Sequence, residues 1–210
     1  FEIPSTTKKT ADFIGITNYK NKLYLIVIDS KKIALSYKTI ILSDKKSTLE
    51  DLERIFGSKS GFLQIYETIS NLRSNKVKNF NIKIKDIDVI FPVLITDREI
   101  YEDPFSRLLY ENEFLDKHKE GLLYTPRPII SDPIFINLDE LEIIESCCNS
   151  LGKGQFIEIL LKRNKLLSKR IIRDGIKNIP IEILPLWNHL WRLGFMEYKN
   201  ERLKQKFSNY

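Results

Sequence analysis

Residues 23–28 read Leu-Tyr-Leu-Ile-Val-Ile, an uninterrupted apolar run that ends in Asp29-Ser30-Lys31. A short run rich in β-branched and aromatic residues predicts a strand, here Leu23 to Ser30. With no charge on either alternate face, that strand must be covered on both sides. Any fold open to this chain therefore has a sheet with this segment in its interior. Side-chain alternation then fixes directions: Leu25, Val27, Asp29 and Lys31 point one way, and Ile26, Ile28, Ser30 and Lys32 the other. An acid and a base emerge on the same face where the strand leaves the core.

The neighbouring sequence predicts the rest of the sheet. Ala11 to Thr17 reads as a strand joined to the first through the polar turn Asn18–Asn21, and Ile33 to Leu42 reads as a third, giving an antiparallel meander. A short helix follows from Thr48 to near Gly57, capped by Ser47 or Thr48. Phe62, Ile65, Ile69 and Leu72 then recur at helical spacing. A buried strand is expected over Ile87 to Ile95, although Pro92 inside it lacks a ladder donor and suits an edge or an irregular position better. The fold class is thus α/β, a mixed sheet flanked by helices, with its core in residues 1–98. Residues 99–137 read as a connection with a short helix from Phe105 to Lys117 and a sheet-edge return at Pro133 to Asn137. Residues 138–210 read as a helical C-terminal subdomain. It has a helix capped by Asp139 and ending near Gly152, a second from Gln155 to about Arg173, and a charged tail containing Trp187 and Trp191.

Composition narrows the function classes. The 210 residues are 42% hydrophobic, enough for a sizeable core, and carry a net charge of +6. That surplus favours nucleic-acid contact. No run of about 18 apolar residues is free of charge, which argues against a membrane span. Cys147 and Cys148, the only cysteines, are adjacent and suit neither a disulfide framework nor a zinc site, so a reducing, cytoplasmic setting is expected. The Gly152-Lys153-Gly154 segment is too short for a phosphate-binding loop.

The first two strands, paired through their short turn, bring Asp12 toward Asp29. Two carboxylates and the Ser30 main-chain carbonyl form a hard oxygen set suited to Mg²⁺, with Mn²⁺ as a substitute. Lys31 reaches the same side, where it can orient an attacking water or balance charge in phosphodiester hydrolysis. Ala11-Asp12-Phe13-Ile14, Val27-Ile28-Asp29-Ser30-Lys31 and Gln64 in Gly61-Phe62-Leu63-Gln64-Ile65-Tyr66 together resemble the restriction-endonuclease-like PD-(D/E)XK nuclease superfamily, over residues 11–96. The resemblance implies a restriction-endonuclease-like sheet, metal binding by Asp12 and Asp29, support of the attacking water by Lys31, and assistance from Gln64. It departs from the pattern at Ala11, which replaces a proline, and in the choice of aspartate as second acid. Many members present a further glutamate upstream. Glu2 is one candidate for that position, and a glutamate upstream of Phe1 is the alternative expectation.

Lys162, Arg163, Lys165, Lys169, Arg170 and Arg173 form a basic stretch that reads either as a solvated helix face or as a surface for DNA phosphates. The expectation is a Mg²⁺-dependent nuclease that hydrolyses DNA, working with protein partners or as a homo-oligomer in antiviral defence. The rival is a catalytically weak nuclease-like module that binds nucleic acid or assembles with protein.

Overall fold

The sheet grows outward from the apolar strand. In a computed structural model, which describes residues 10–32, 36–42, 44–56, 61–74, 83–97, 128–167, 170–173 and 176–180, β1 (Phe13–Tyr19) and β2 (Lys22–Lys31) form an antiparallel hairpin in which Phe13 faces Ile28 and Tyr19 faces Lys22. Lys20 and Asn21 close it with φ of 48° and 61°. Two successive positive φ values define the tight turn whose twist matches that of the strands it joins.

Three helices follow, α1 (Tyr37–Leu42), α2 (Lys45–Phe56) and α3 (Gly61–Arg73), before β3 (Val89–Thr96) returns parallel to β2, with Asp29 opposite Leu94. On its far side β3 pairs in parallel with two short strands in succession. These are β4 (Ile129–Ile130), beside Val89 and Ile90, and β5 (Ile134–Asn137), beside Val93 to Thr96. The result is a mixed five-stranded sheet with β1 at one edge. Pro92 fits at the point where the neighbour changes. The Ile90 carbonyl accepts from Ser131 N on the β4 side. Backbone groups two residues apart share a direction, so the missing N–H of Pro92 falls at the break between β4 and β5.

Both faces of β2 and β3 are covered. On one, Leu25, Val27, Ile90 and Leu94 pack with Ile65, Ile69 and Leu72 of α3. On the other, Tyr24, Ile26, Phe91, Val93, Ile134 and Ile136 pack under α4 (Leu138–Leu151) and α5 (Gly154–Leu167) through Ile143, Ile144, Ile157 and Leu160. Tyr24 and Phe91 stack with centroids 5.9 Å apart. The chain continues into a separate antiparallel pair, β6 (Arg170–Arg173) with β7 (Ile176–Pro180).

Several expectations are corrected. Among the described residues the third strand of the meander is absent, because Tyr37–Leu42 is helical. Ser36 begins that helix, its Oγ accepting from Thr39 N at 3.3 Å. Buried Asp51 on α2 accepts from Ser36 N at 2.7 Å and Thr39 Oγ1 at 2.6 Å and also binds Arg54, so α1 is folded onto α2 instead of extended. Helix α2 starts at Lys45, earlier than Thr48, because Asp44 accepts from Ser47 N at 2.8 Å and serves as its cap. Asn137, not Asp139, caps α4, in a reciprocal capping box with Glu140. The expected helix from Gln155 to Arg173 stops at Leu167, and Arg170–Arg173 is a strand. The expected helix from Phe105 to Lys117, Glu2, Lys169, Trp187 and Trp191 lie outside the described residues.

Candidate active site at the carboxyl edge of the sheet

Strands β2, β3 and β5 run parallel and end together, and ligands of open α/β sheets collect beyond such ends. Asp29 is the last fully buried residue of β2, with 0% exposure. Lys31, two residues on and on the same face, sets its Nζ 2.9 Å from Asp29 Oδ2 while remaining one-third exposed. The approach is oblique, so among the described residues neither Asp29 oxygen receives a well-directed side-chain hydrogen bond. Burial therefore dominates the titration and pushes the Asp29 carboxyl up to about 6. The Lys31 ammonium and the Asp12 backbone pull it down, and the Asp12 charge pushes it further up.

Asp12 stands just before β1, opposite Asp29 by continuation of the hairpin register. Its Oδ2 accepts from Ser30 N at 2.8 Å and from Ser30 Oγ at 2.7 Å. The first of these bonds orients the Ser30 peptide. Its N–H points toward β1, and the carbonyl of the same strand residue points to the same side, past the first β1 pair and beside Asp12. The chain thus brings together Asp12, Asp29, Lys31 and the Ser30 carbonyl.

Helix α3 supports this corner. Because the chain leaves the carboxyl end of β2 and returns to the amino end of β3, α3 runs against the strands, and its first turns lie near the Asp29 edge. Thr68 Oγ1 accepts from Ala11 N at 2.8 Å and donates to the Gln64 carbonyl at 2.7 Å, tying the residue before Asp12 to the helix. Gln64 sits one turn earlier on that stripe, its Oε1 buried without a hydrogen-bond donor among the described residues. Thr68 was not a sequence candidate. Its signal is the i, i+4 spacing of Gln64 and Thr68, two polar residues on a stripe beside that of Ile65 and Ile69.

The basic stretch is not one surface. Lys162 Nζ lies 3.6 Å from Glu158 Oε1. Arg163 is only 2% exposed, whereas Lys165 is exposed. Arg170 and Arg173 belong to β6, so the six residues do not share a helical face.

No known protein family, curated protein or solved structure matches this chain. The fold defines an α/β protein with a mixed sheet and a C-terminal helical pair, and the site rests on its own geometry. Among the described residues no helix is long and apolar enough to cross a membrane, and no group of three or more His, Cys, Asp or Glu side chains is placed to hold a metal ion. The donor set at the β2 edge is smaller: two carboxylates and one carbonyl. It suits Mg²⁺, which is held by one or two carboxylates and completes its shell with water or substrate phosphate oxygens.

Proposed function

We propose that this chain is a Mg²⁺-dependent nuclease hydrolysing DNA phosphodiester bonds, a cytoplasmic cleavage module of a PD-(D/E)XK kind that serves antiviral defence. The observation that carries the reading is Asp29, a fully buried carboxylate at the open end of a parallel strand pair, 2.9 Å from Lys31 and facing the Asp12 corner. Lys31 already sets one cation against Asp29, yet burial still holds its carboxyl up, so a second cation shared with Asp12 would stabilise the ionised site further. Asp12, Asp29 and the Ser30 carbonyl would hold the cation, whose contribution is Lewis-acid polarisation of a phosphate oxygen. Lys31 orients the attacking water and balances charge as the phosphate becomes more negative. Gln64 aligns that water from α3. Lys165 offers a phosphate contact from α5, and the adjacent Cys147 and Cys148 suit a reducing compartment.

The test is cleavage of linear, circular and single-stranded DNA and of RNA with Mg²⁺ or Mn²⁺, beside Asp29→Asn and Lys31→Ala. Cleavage by the unaltered chain and a loss of about 10²-fold or more in each variant are expected. No cleavage of any substrate, or full activity in both variants, overturns the reading.

A second reading is a catalytically weak nuclease-like module that binds nucleic acid or assembles with protein. It is favoured by the two hydrogen bonds that Ser30 already gives to Asp12 Oδ2, which leave that oxygen less available to a cation. DNA binding without cleavage would select it.

A further inference from the structure

The β1 edge points to a second copy of this chain. Hydrogen-bonded pairing with β2 uses the backbone groups of Phe13, Gly15, Thr17 and Tyr19, since the Ser30 N–H, and hence Ile28 and Ile26, face β1. The N–H and C=O groups of Ile14, Ile16 and Asn18 therefore point away from the sheet. Among the described residues no strand pairs with them. Natural edge strands are protected by charge, proline or a bulge. In a chain with 30% charged residues, Phe13–Tyr19 has none of these, and Phe13 is 54% exposed.

We propose that the chain forms a homodimer by antiparallel pairing of β1 with β1 of a second copy about a two-fold axis at Ile16. The sequence is self-complementary in the register that overlaps the whole strand. Ile16 meets itself, Ile14 meets Asn18, and both are outward-facing positions, so each outward N–H finds a carbonyl. Phe13 meets Tyr19 on the same face, and the exposed ring gains an aromatic partner. Just beyond the strand, Asp12 of one copy comes toward Lys20 of the other, placing opposite charges at both ends. Lys20 already lies 3.1 Å from Glu158 Oε2 but is two-thirds exposed and has donors to spare. Pairing continues the sheet through both molecules and places the Asp12 side of each site beside Lys20 of the other copy. This inference stands apart from the nuclease reading and does not need cleavage to be true.

Sedimentation equilibrium of the full chain tests it. Asn18→Pro removes an outward donor that β2 does not use, and Asn18→Lys places a charge on the edge. Each is expected to raise the dimer dissociation constant roughly tenfold or more without changing the far-ultraviolet circular dichroism spectrum. For register, Ile16→Cys in a Cys147→Ala, Cys148→Ala background brings two thiols together on the axis, and oxidation is expected to give a dithiothreitol-reversible covalent dimer. Asn21→Cys, far from its counterpart in this register, is expected to give none. A monomer at every concentration of the unaltered chain overturns the proposal. So does a dimer indifferent to both Asn18 substitutions, or equal cross-linking at the two cysteine positions.

Discussion

At the scale of the residue, Asp29 has a measurable thermodynamic signature. Its carboxyl titrates at about 6 in the folded chain against 3.8 ordinarily. Between those values the folded state holds more protons than the unfolded state. The contribution of Asp29 to stability is therefore fully present below about pH 4, falls as pH rises toward 6, and is lost above it. A shift of this size corresponds to about 3 kcal/mol. Denaturant unfolding of Asp29→Asn is expected to lack this decline and to show the variant more stable than the unaltered chain at pH 7.5. Parallel pH profiles for the two proteins would show that Asp29 does not titrate as its burial requires. Thr68 acts on the same corner through one bond. Thr68→Val keeps the shape but leaves the Ala11 N–H without its acceptor, at a cost of about 1–3 kcal/mol. Loss of stability in the valine variant, with recovery in Thr68→Ser, is the result that checks it.

Secondary-structure elements separate what the sequence states openly from what it hides. The β2 strand, its two buried faces and the placement of Asp29 with Lys31 were legible because an apolar run and a period of two depend only on neighbours. The helix across Phe62 to Leu72 was legible for the same reason. Tyr37–Leu42 was not, since its β-branched and aromatic residues favour a strand and the deciding group, Asp51, lies on another helix. The end of α5 did carry a local signal, Asp174-Gly175 between Ile-rich segments. It is a hairpin dipeptide that outweighs the helical spacing of the residues before it. Asn137 and Glu140 likewise spell a capping box. How the hairpin meets α5 was invisible to any local rule. Tyr19 OH donates to Glu158 at 2.7 Å, and the Tyr19 ring lies against Gly154 so closely that a Cβ there would come within 2.9 Å of it. Gly154→Ala is expected to displace the ring and cost about 1–3 kcal/mol in thermal or denaturant unfolding. An unchanged midpoint would show that the ring moves aside freely.

For the whole molecule, the charge of +6 describes a tendency toward polyanions but not the place where they dock. The six basic residues read as one surface from the sequence divide in the fold: Lys162 is drawn toward Glu158, Arg163 is enclosed between α5 and its neighbours, and Lys165 reaches solvent. Enclosure and exposure make opposite predictions. A lysine that neutralises a phosphate releases counterions, so Lys165→Ala should lower the slope of log affinity for DNA against log salt by about 0.9. Arg163→Ala should instead leave that slope unchanged and lower folding stability by about 1–3 kcal/mol, because it removes the packing of a long buried side chain. Fluorescence anisotropy across a salt series, beside unfolding curves for both variants, separates the two. A reduced salt slope for Arg163→Ala with unaltered stability would mean that its side chain turns outward to meet DNA. A slope unaffected by Lys165→Ala would place the phosphate contacts off this face of α5.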